Sequence, residues 1–120
     1  MKKILVADDT DNGRELVKAV LEGSGYQVIE ARNGLEAVAQ ARTHMPDLII
    51  LDLHMPGLDG FGVIQELRRE PAFAATPVVA LTASAMMGDK ERATAVGFTS
   101  YITKPIRLAD LRREVERLLG

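Results

Sequence analysis

Residues 48–53 read Leu-Ile-Ile-Leu-Asp-Leu, an almost continuous apolar run that contains one aspartate. A short run of this kind, rich in Ile and Leu, predicts a central strand covered on both faces. Similar apolar runs recur along the chain and alternate with stretches of helical period, which is typical of an α/β fold with five βα units, (βα)5, around a parallel sheet. The predicted strands are Lys3–Ala7, Gln27–Ala31, Leu48–Leu53, Val78–Leu81 and Ser100–Thr103.

Helix signals lie between these strands. Asn12 with Glu15, and Asn33 with Glu36, each place a capping side chain three residues before a glutamate, which predicts the starts of the first two helices. The third helix is predicted from about Phe61 to Arg69, and the fourth from about Asp89 to Val96. Apolar stripes predict core-facing sides for the first and last helices: Leu16, Val17, Val20 and Leu21, and Leu108, Leu111, Val115, Leu118 and Leu119.

Composition limits the class of protein. The 120 residues, 47% of them hydrophobic, suit one domain over residues 1–120. A formal net charge of −2 argues against a broad basic face for nucleic acid. No apolar run approaches the roughly 20 residues that span a bilayer, so we expect a soluble cytoplasmic protein without a membrane partner. The absence of cysteine excludes disulfides, thiolate metal sites and thiol nucleophiles.

Chemically versatile residues follow the predicted strands. Asp8 and Asp9 come after the first strand, Asp52 lies at the end of the third, Thr82 closes the fourth, and Lys104-Pro105 follows the fifth. Ligands in open α/β sheets bind beyond the carboxyl ends of the strands, so we expect one pocket to gather these residues.

The chemistry of that pocket can be predicted from its charges. Three carboxylates repel one another unless a cation is present, and a set of oxygen ligands favours Mg2+. With Mg2+ and Lys104, the formal charges of Asp8, Asp9 and Asp52 sum to zero. Asp52 can then act as a nucleophile that accepts a phosphoryl group, whose added charge the metal, Lys104 and the hydroxyl of Thr82 can stabilise.

Each feature taken singly has an ordinary structural explanation. The aspartate pair suits a turn or a helix cap, Lys104 a solvated charge, Thr82 a strand end, and Pro105 the start of a helix. Their placement at successive strand ends favours a shared site over these separate explanations.

Together these motifs resemble the response-regulator receiver domains of bacterial two-component systems, and the match covers the whole chain. The region from Pro77 through Pro105 is most similar to single-domain receivers of the DivK type and to receivers of hybrid kinases. The motifs are Val6-Ala7-Asp8-Asp9, Leu51-Asp52-Leu53-His54-Met55-Pro56-Gly57-Leu58-Asp59-Gly60, Ala80-Leu81-Thr82-Ala83 and Lys104-Pro105.

The resemblance implies a flavodoxin-like sheet of order 2-1-3-4-5, the order that receivers exemplify, and a cis Lys104-Pro105 bond. It also implies that a histidine kinase or histidine phosphotransfer protein donates a phosphoryl group to Asp52. Asp9, Asp52 and the main-chain carbonyl of His54 would bind Mg2+, with Asp8 helping through water. The phosphoryl group would later be lost by self-catalysed hydrolysis, so the domain is a phosphoacceptor rather than an enzyme that turns over substrate.

The resemblance further implies a switch. Thr82 would move toward the phosphoryl group, Lys104 would pair with it, and Tyr101 would turn inward. The surface of the fourth helix, fifth strand and fifth helix would then change its protein partners, as a monomer or a weak phosphorylation-dependent dimer. His54 and Ser84 occupy positions that tune hydrolysis in the family. Met86 and Met87 suit either an adaptable contact surface or core packing.

Three other functions are compatible with an α/β fold of this kind, and the sequence argues against two of them. A flavin-binding protein would offer glycines and backbone N–H groups to a phosphate, whereas the loop after the first strand is acidic. A phosphohydrolase of the haloacid dehalogenase type would have an aspartate, not His54, two residues after the nucleophile. A receiver-like interaction module that works without phosphorylation is the remaining alternative.

Overall fold

The computed structural model describes residues 1–82 and 87–119, and for residues 87–90 only the backbone. Within these residues five strands alternate with five helices, and a short 3-10 helix, Pro71–Phe73, follows the third helix. The strands are β1 (Lys3–Ala7), β2 (Gln27–Ala31), β3 (Leu48–Asp52), β4 (Val78–Thr82) and β5 (Ser100–Thr103). The helices are α1 (Asp11–Gly23), α2 (Gly34–His44), α3 (Gly60–Arg68), α4 (Met87–Val96) and α5 (Leu108–Leu119).

The strands form one parallel sheet in the order β2-β1-β3-β4-β5, which confirms the predicted α/β architecture. All five residues of β3 are buried, because β1 and β4 flank it and helices cover both of its faces. Since all strands run in the same direction, their carboxyl ends meet at one edge of the sheet. That edge carries the predicted site residues.

Alternation along the strands divides the core into two layers. Leu5 and Ile49 point to the layer covered by α2, α3 and α4, whereas Ile4 and Ile50 point to the layer covered by α1 and α5. Helices therefore cover both faces, as predicted. Among the described residues, no helix has the length and apolarity that a membrane crossing requires.

The described side chains of α3 and of α4, residues 91–96 in the latter, differ in how much apolar surface they bury. In α3, Phe61, three aliphatic residues and Gly60 are buried, whereas Ala93 is the one fully buried side chain among those described in α4. Arg92 of α4 places its guanidinium 3.9 Å from the centre of the Phe61 ring, a cation–π contact between the two helices.

The predicted start of α1 is wrong. The helix begins at Asp11 with Thr10 at the N-cap position, so Asn12 lies exposed in the first turn and does not cap it. The reason is local: the Thr10 N–H donates to the Asp8 carboxylate, and the Thr10 carbonyl accepts the N–H of Arg14, so the first turn forms earlier. Leu16 is also not a core residue, since it is 48% exposed.

The other boundaries agree with prediction within one or two residues, the usual uncertainty of helix ends. Asn33 caps α2 as predicted by accepting the N–H of Glu36 at 2.8 Å. Asp59, which the prediction missed, caps α3. The helix α4 begins at Met87, two residues earlier than predicted. Ser84 and Met86 lie outside the described residues, as does the side chain of Met87.

Candidate phosphoacceptor and metal site

Three aspartates meet at the carboxyl edge of the sheet. Asp8 and Asp9 follow β1, and Asp52 is the last residue of β3. One carboxylate oxygen from each lies within 4.8 Å of the others. Asp8 and Asp52 are buried, at 0% and 4% exposure, whereas Asp9 faces solvent. The cluster therefore combines two desolvated carboxylates with one that is open to the surface.

Lys104 reaches this cluster from the loop after β5. Its backbone N–H donates to the Thr82 carbonyl at 2.7 Å, which extends the β4–β5 ladder by one residue. Its ammonium lies 3.0 Å from Asp52 Oδ2 and 3.5 Å from Asp8 Oδ2. The Lys104-Pro105 bond is cis, as expected. One lysine thus neutralises part of the charge on both buried aspartates.

The charges in the pocket shift two pKa values. Burial raises the pKa of Asp52, and the nearby charge of Asp8 raises it further; the His54 N–H and Lys104 oppose this increase without cancelling it. The pKa of Lys104 is also raised, since burial lowers it but its hydrogen bond and charge attraction to Asp52 outweigh that effect. The protein alone therefore does not fully compensate the charge of the Asp52 carboxylate.

The carboxylate of Asp8 has one oxygen that is suited to binding a cation. Its Oδ1 accepts the N–H of Thr10 at 2.8 Å, and its own N–H donates to the Ala31 carbonyl. Its Oδ2 is fully buried and accepts no hydrogen bond from the described residues. The Lys104 ammonium, 3.5 Å away, compensates this oxygen only in part, and a buried carboxylate oxygen that accepts no hydrogen bond is costly. The partly compensating Lys104 and the neighbouring Asp9 make this oxygen suitable for a hard divalent ion or its bound water.

The remaining predicted residues lie at or near the same edge. Thr82 ends β4 and is 3% exposed. The backbone N–H of His54 donates to Asp52 Oδ1 at 3.0 Å, and the rest of His54 faces solvent. Tyr101 lies on β5 and is 36% exposed, so it is at the surface and outside the pocket. Ser84 lies outside the described residues.

The loop after β3 approaches the acceptor closely. A Cβ at Gly60 would lie 2.7 Å from the Asp52 carbonyl and 2.9 Å from Leu53 Cα, so no larger residue fits there without a shift. Asp59 begins α3 next to this glycine by accepting the N–H of Gly62. The glycine and the cap together hold the loop against the end of β3.

Sequence reasoning missed Arg14. This side chain is buried behind the aspartates, and its guanidinium donates to the Asp8 carbonyl at 2.8 Å, to Asp11 at 2.6 Å and to Glu30 at 3.2 Å. Lys18 also bonds Glu30, at 3.1 Å. The i,i+3 spacing of Asp11 and Arg14 was the only local signal, because the other two contacts depend on how α1 packs against β1 and β2.

Known proteins are similar to this chain in sequence. Residues 4–116 match the model of the response regulator receiver domain family. The polar-differentiation response regulator DivK of Brucella anthropi is 38% identical over 119 residues, which cover 99% of this chain and 97% of that protein. The DivK protein of Brucella ovis is 37% identical over the same coverage.

Solved structures agree with these relatives. The chemotaxis protein CheY4 of Vibrio cholerae superimposes with a TM-score of 0.94 at 33% identity, covering 98% of both chains. The receiver domain of a Pseudomonas aeruginosa sensor histidine kinase, described with magnesium coordinated in its active site cleft, superimposes with a TM-score of 0.92 at 33% identity, covering 99% of this chain and 98% of that one. The chain therefore belongs to the response regulator receiver domain family, the phosphorylation-dependent signalling domains of two-component systems.

Proposed function

We propose that this chain accepts a phosphoryl group on Asp52 from the phosphohistidine of a histidine kinase or a histidine phosphotransfer protein. The observation that carries the proposal is the position of Asp52, at the end of the central strand, 3.0 Å from the Lys104 ammonium and clustered with Asp8 and Asp9. In the transfer, an Asp52 carboxylate oxygen attacks phosphorus, the phosphorus–nitrogen bond breaks, and its electron pair returns to the imidazole of the donor.

Asp8, Asp9, Asp52 and the main-chain carbonyl of His54 are the proposed Mg2+ ligands, with Asp8 acting through water. The metal supplies positive charge that offsets the negative charge of the phosphoryl oxygens. The buried Asp8 Oδ2 accepts no hydrogen bond from the described residues and has the Lys104 ammonium 3.5 Å away, which leaves room for a second cation and supports this assignment. The magnesium described for the Pseudomonas aeruginosa receiver domain supports it as well.

The added charge is the proposed signal. Phosphorylation changes Asp52 from −1 to about −2, and Lys104 is already in place to pair with it. Thr82, buried at the end of the adjacent strand, is proposed to donate its hydroxyl to the phosphoryl group. Tyr101 is proposed to move from its exposed position inward, which changes the α4–β5–α5 surface presented to a downstream protein. Hydrolysis of the acyl phosphate resets the domain.

The test is incubation with Mg2+ and acetyl phosphate, followed by intact mass spectrometry. Wild type should gain one phosphoryl group only when Mg2+ is present, and Asp52→Asn should gain none. Asp59→Asn is the matched control, because asparagine keeps the cap of α3 and leaves the pocket unchanged. It should be phosphorylated like wild type.

Failure of wild type to form an adduct with acetyl phosphate and a phosphorylated phosphotransfer protein would contradict the proposal. Unchanged binding of beryllofluoride by Asp52→Asn would contradict it as well. In either case the phosphorylation-independent interaction module becomes the better interpretation. Steady turnover of phosphate esters would instead indicate a phosphohydrolase.

A further inference from the structure

The buried guanidinium of Arg14 contacts the backbone that carries the proposed metal ligands. Its side chain is 8% exposed, and one nitrogen donates to the Asp8 carbonyl at 2.8 Å. That carbonyl belongs to the peptide group between Asp8 and Asp9. The Arg14 hydrogen bond therefore restrains the plane from which the exposed Asp9 side chain projects.

Other contacts of Arg14 fix the guanidinium itself. Asp11 accepts from a second nitrogen at 2.6 Å, and Glu30 of β2 accepts from the third at 3.2 Å. Glu30 is held in turn by Lys18 at 3.1 Å. The planar guanidinium can donate in three directions at once, which a lysine ammonium on a flexible stem does less rigidly. The turn after β1 is thereby attached to both α1 and β2.

A second restraint acts on the same turn from the other side. The Thr10 N–H donates to Asp8 Oδ1 at 2.8 Å, so the residues before and after Asp9 are both fixed. A metal site whose ligands are already oriented spends less free energy on ordering them when the ion binds.

We propose that Arg14 is a positioning residue for the divalent-metal site: by bonding the Asp8 carbonyl, it holds the Asp8–Asp9 turn in the conformation that binds Mg2+. The inference rests on the proposed function, because it concerns the proposed metal ligands. Arg14 itself contacts neither Asp52 nor the side chain of Asp8 through any described hydrogen bond, so its effect on the metal passes through the backbone.

Calorimetric titration of the whole chain with MgCl2 tests the proposal with a matched pair of variants. Arg14→Met and Lys18→Met each remove one of the two cations on Glu30, but only Arg14→Met removes the hydrogen bond to the Asp8 carbonyl. Arg14→Met should bind Mg2+ about tenfold more weakly than wild type, the lower end of the effect of losing an outer-shell partner. Lys18→Met should bind Mg2+ with nearly wild-type affinity.

Amide hydrogen exchange at Thr10 in metal-free protein gives a second readout. Exchange should be faster in Arg14→Met than in wild type and unchanged in Lys18→Met. If Arg14→Met does not fold, Arg14→Lys replaces it: a role in geometry predicts weaker Mg2+ binding for this variant too, whereas a role in charge alone predicts full rescue.

Equal Mg2+ affinity in wild type and the Arg14 variant, or equal losses in the Arg14 and Lys18 variants, would overturn the inference. If wild type itself binds no Mg2+, the proposed metal site is wrong, and the Thr10 exchange rates still decide whether Arg14 holds the turn. The two failures are therefore distinguishable.

Discussion

Two cations contact Asp8, and their contacts differ in kind. Lys104 touches the carboxylates of Asp52 and Asp8, and its side chain is 27% exposed. Arg14 touches the carbonyl of Asp8 and two carboxylates outside the cluster, and its side chain is 8% exposed. The lysine contacts the groups proposed to react, whereas the arginine contacts the framework that carries them.

This difference follows from the chemistry of the two side chains. An ammonium is a point charge on a flexible stem, so it can follow a charge that moves from a carboxylate to a phosphoryl group. A guanidinium with three directional bonds is restrained and suits a fixed frame. Substitution of the lysine should therefore alter the reaction directly, whereas weakening of the arginine network should alter stability and the binding of Mg2+.

The largest effect is expected for Lys104→Met. Lys104 is proposed to pair with the charge that develops on the phosphoryl oxygens during transfer. Loss of such a charged hydrogen bond costs about 1.5–3 kcal/mol, so Asp52 should be phosphorylated roughly 10–100 times more slowly by acetyl phosphate. Intact mass spectrometry over time at fixed Mg2+ measures this rate. Arg107→Met is the control, since Arg107 is an exposed cation in the same loop. Equal phosphorylation rates for the two variants would show that Lys104 contributes no more to the reaction than an exposed cation nearby.

A smaller effect is expected for Glu30→Gln, which weakens the network around Arg14. Burial raises the pKa of Glu30, but its hydrogen bonds to Lys18 and Arg14 lower it more, so the net pKa is depressed. The stability that this carboxylate contributes is thus present above its unfolded pKa of about 4.3 and lost as the pH falls through its lower folded pKa.

Urea denaturation of wild type and Glu30→Gln between neutral and acidic pH tests this sign. At neutral pH the variant should be less stable by under about 1 kcal/mol, because solvent screens a carboxylate that is one-third exposed. The difference should shrink as Glu30 becomes protonated in wild type. A difference that grows on acidification would mean that the pKa of Glu30 is raised.

The smallest effect is expected for Arg117→Met on α5. Arg117 is exposed and pairs with Glu114 on the same helix. Solvent-exposed pairs of this kind contribute little, because water and salt screen them. Thermal unfolding and the phosphorylation rate should both match wild type. A clear loss of thermal stability or of phosphorylation rate would show that an exposed cation can matter as much as the less exposed Lys104 and Arg14.

Much of the fold, and the grouping of the aspartates with Lys104, could be predicted because the sequence patterns behind them are local. The apolar runs that form the strands and the aspartates that follow them are consecutive in sequence, and strand ends in a parallel sheet must meet. Asp8, Asp9, Asp52 and Lys104 therefore came together as predicted. The roles of these four residues, like those of Thr82 and Tyr101, stay predictions, since they concern a bound metal or a phosphorylated state.

The features that the prediction missed depend on tertiary packing, which the spacing of residues along the sequence does not show. Arg14 was missed because its partners come from the turn after β1, from α1 and from β2, and only Asp11 lies one helical turn away in sequence. The predicted start of α1 was wrong because the Asp8 carboxylate accepts the Thr10 N–H, and the first helical turn then begins before Asn12. Leu16 was assigned to the core because it lies on the apolar stripe of α1, and helical period does not show which positions of a stripe the rest of the fold covers.

The described side chains of α4, at residues 91–96, bury little apolar surface, and this has a kinetic consequence. Of its described side chains, Ala93 is fully buried, and Arg92 adds a cation–π contact with Phe61 from the surface. A helical segment that buries as little surface as residues 91–96 can detach and reseat locally without crossing the barrier of global unfolding. On the proposed function, the α4–β5–α5 surface can therefore change through a local event at one helix, independently of how fast the whole domain folds.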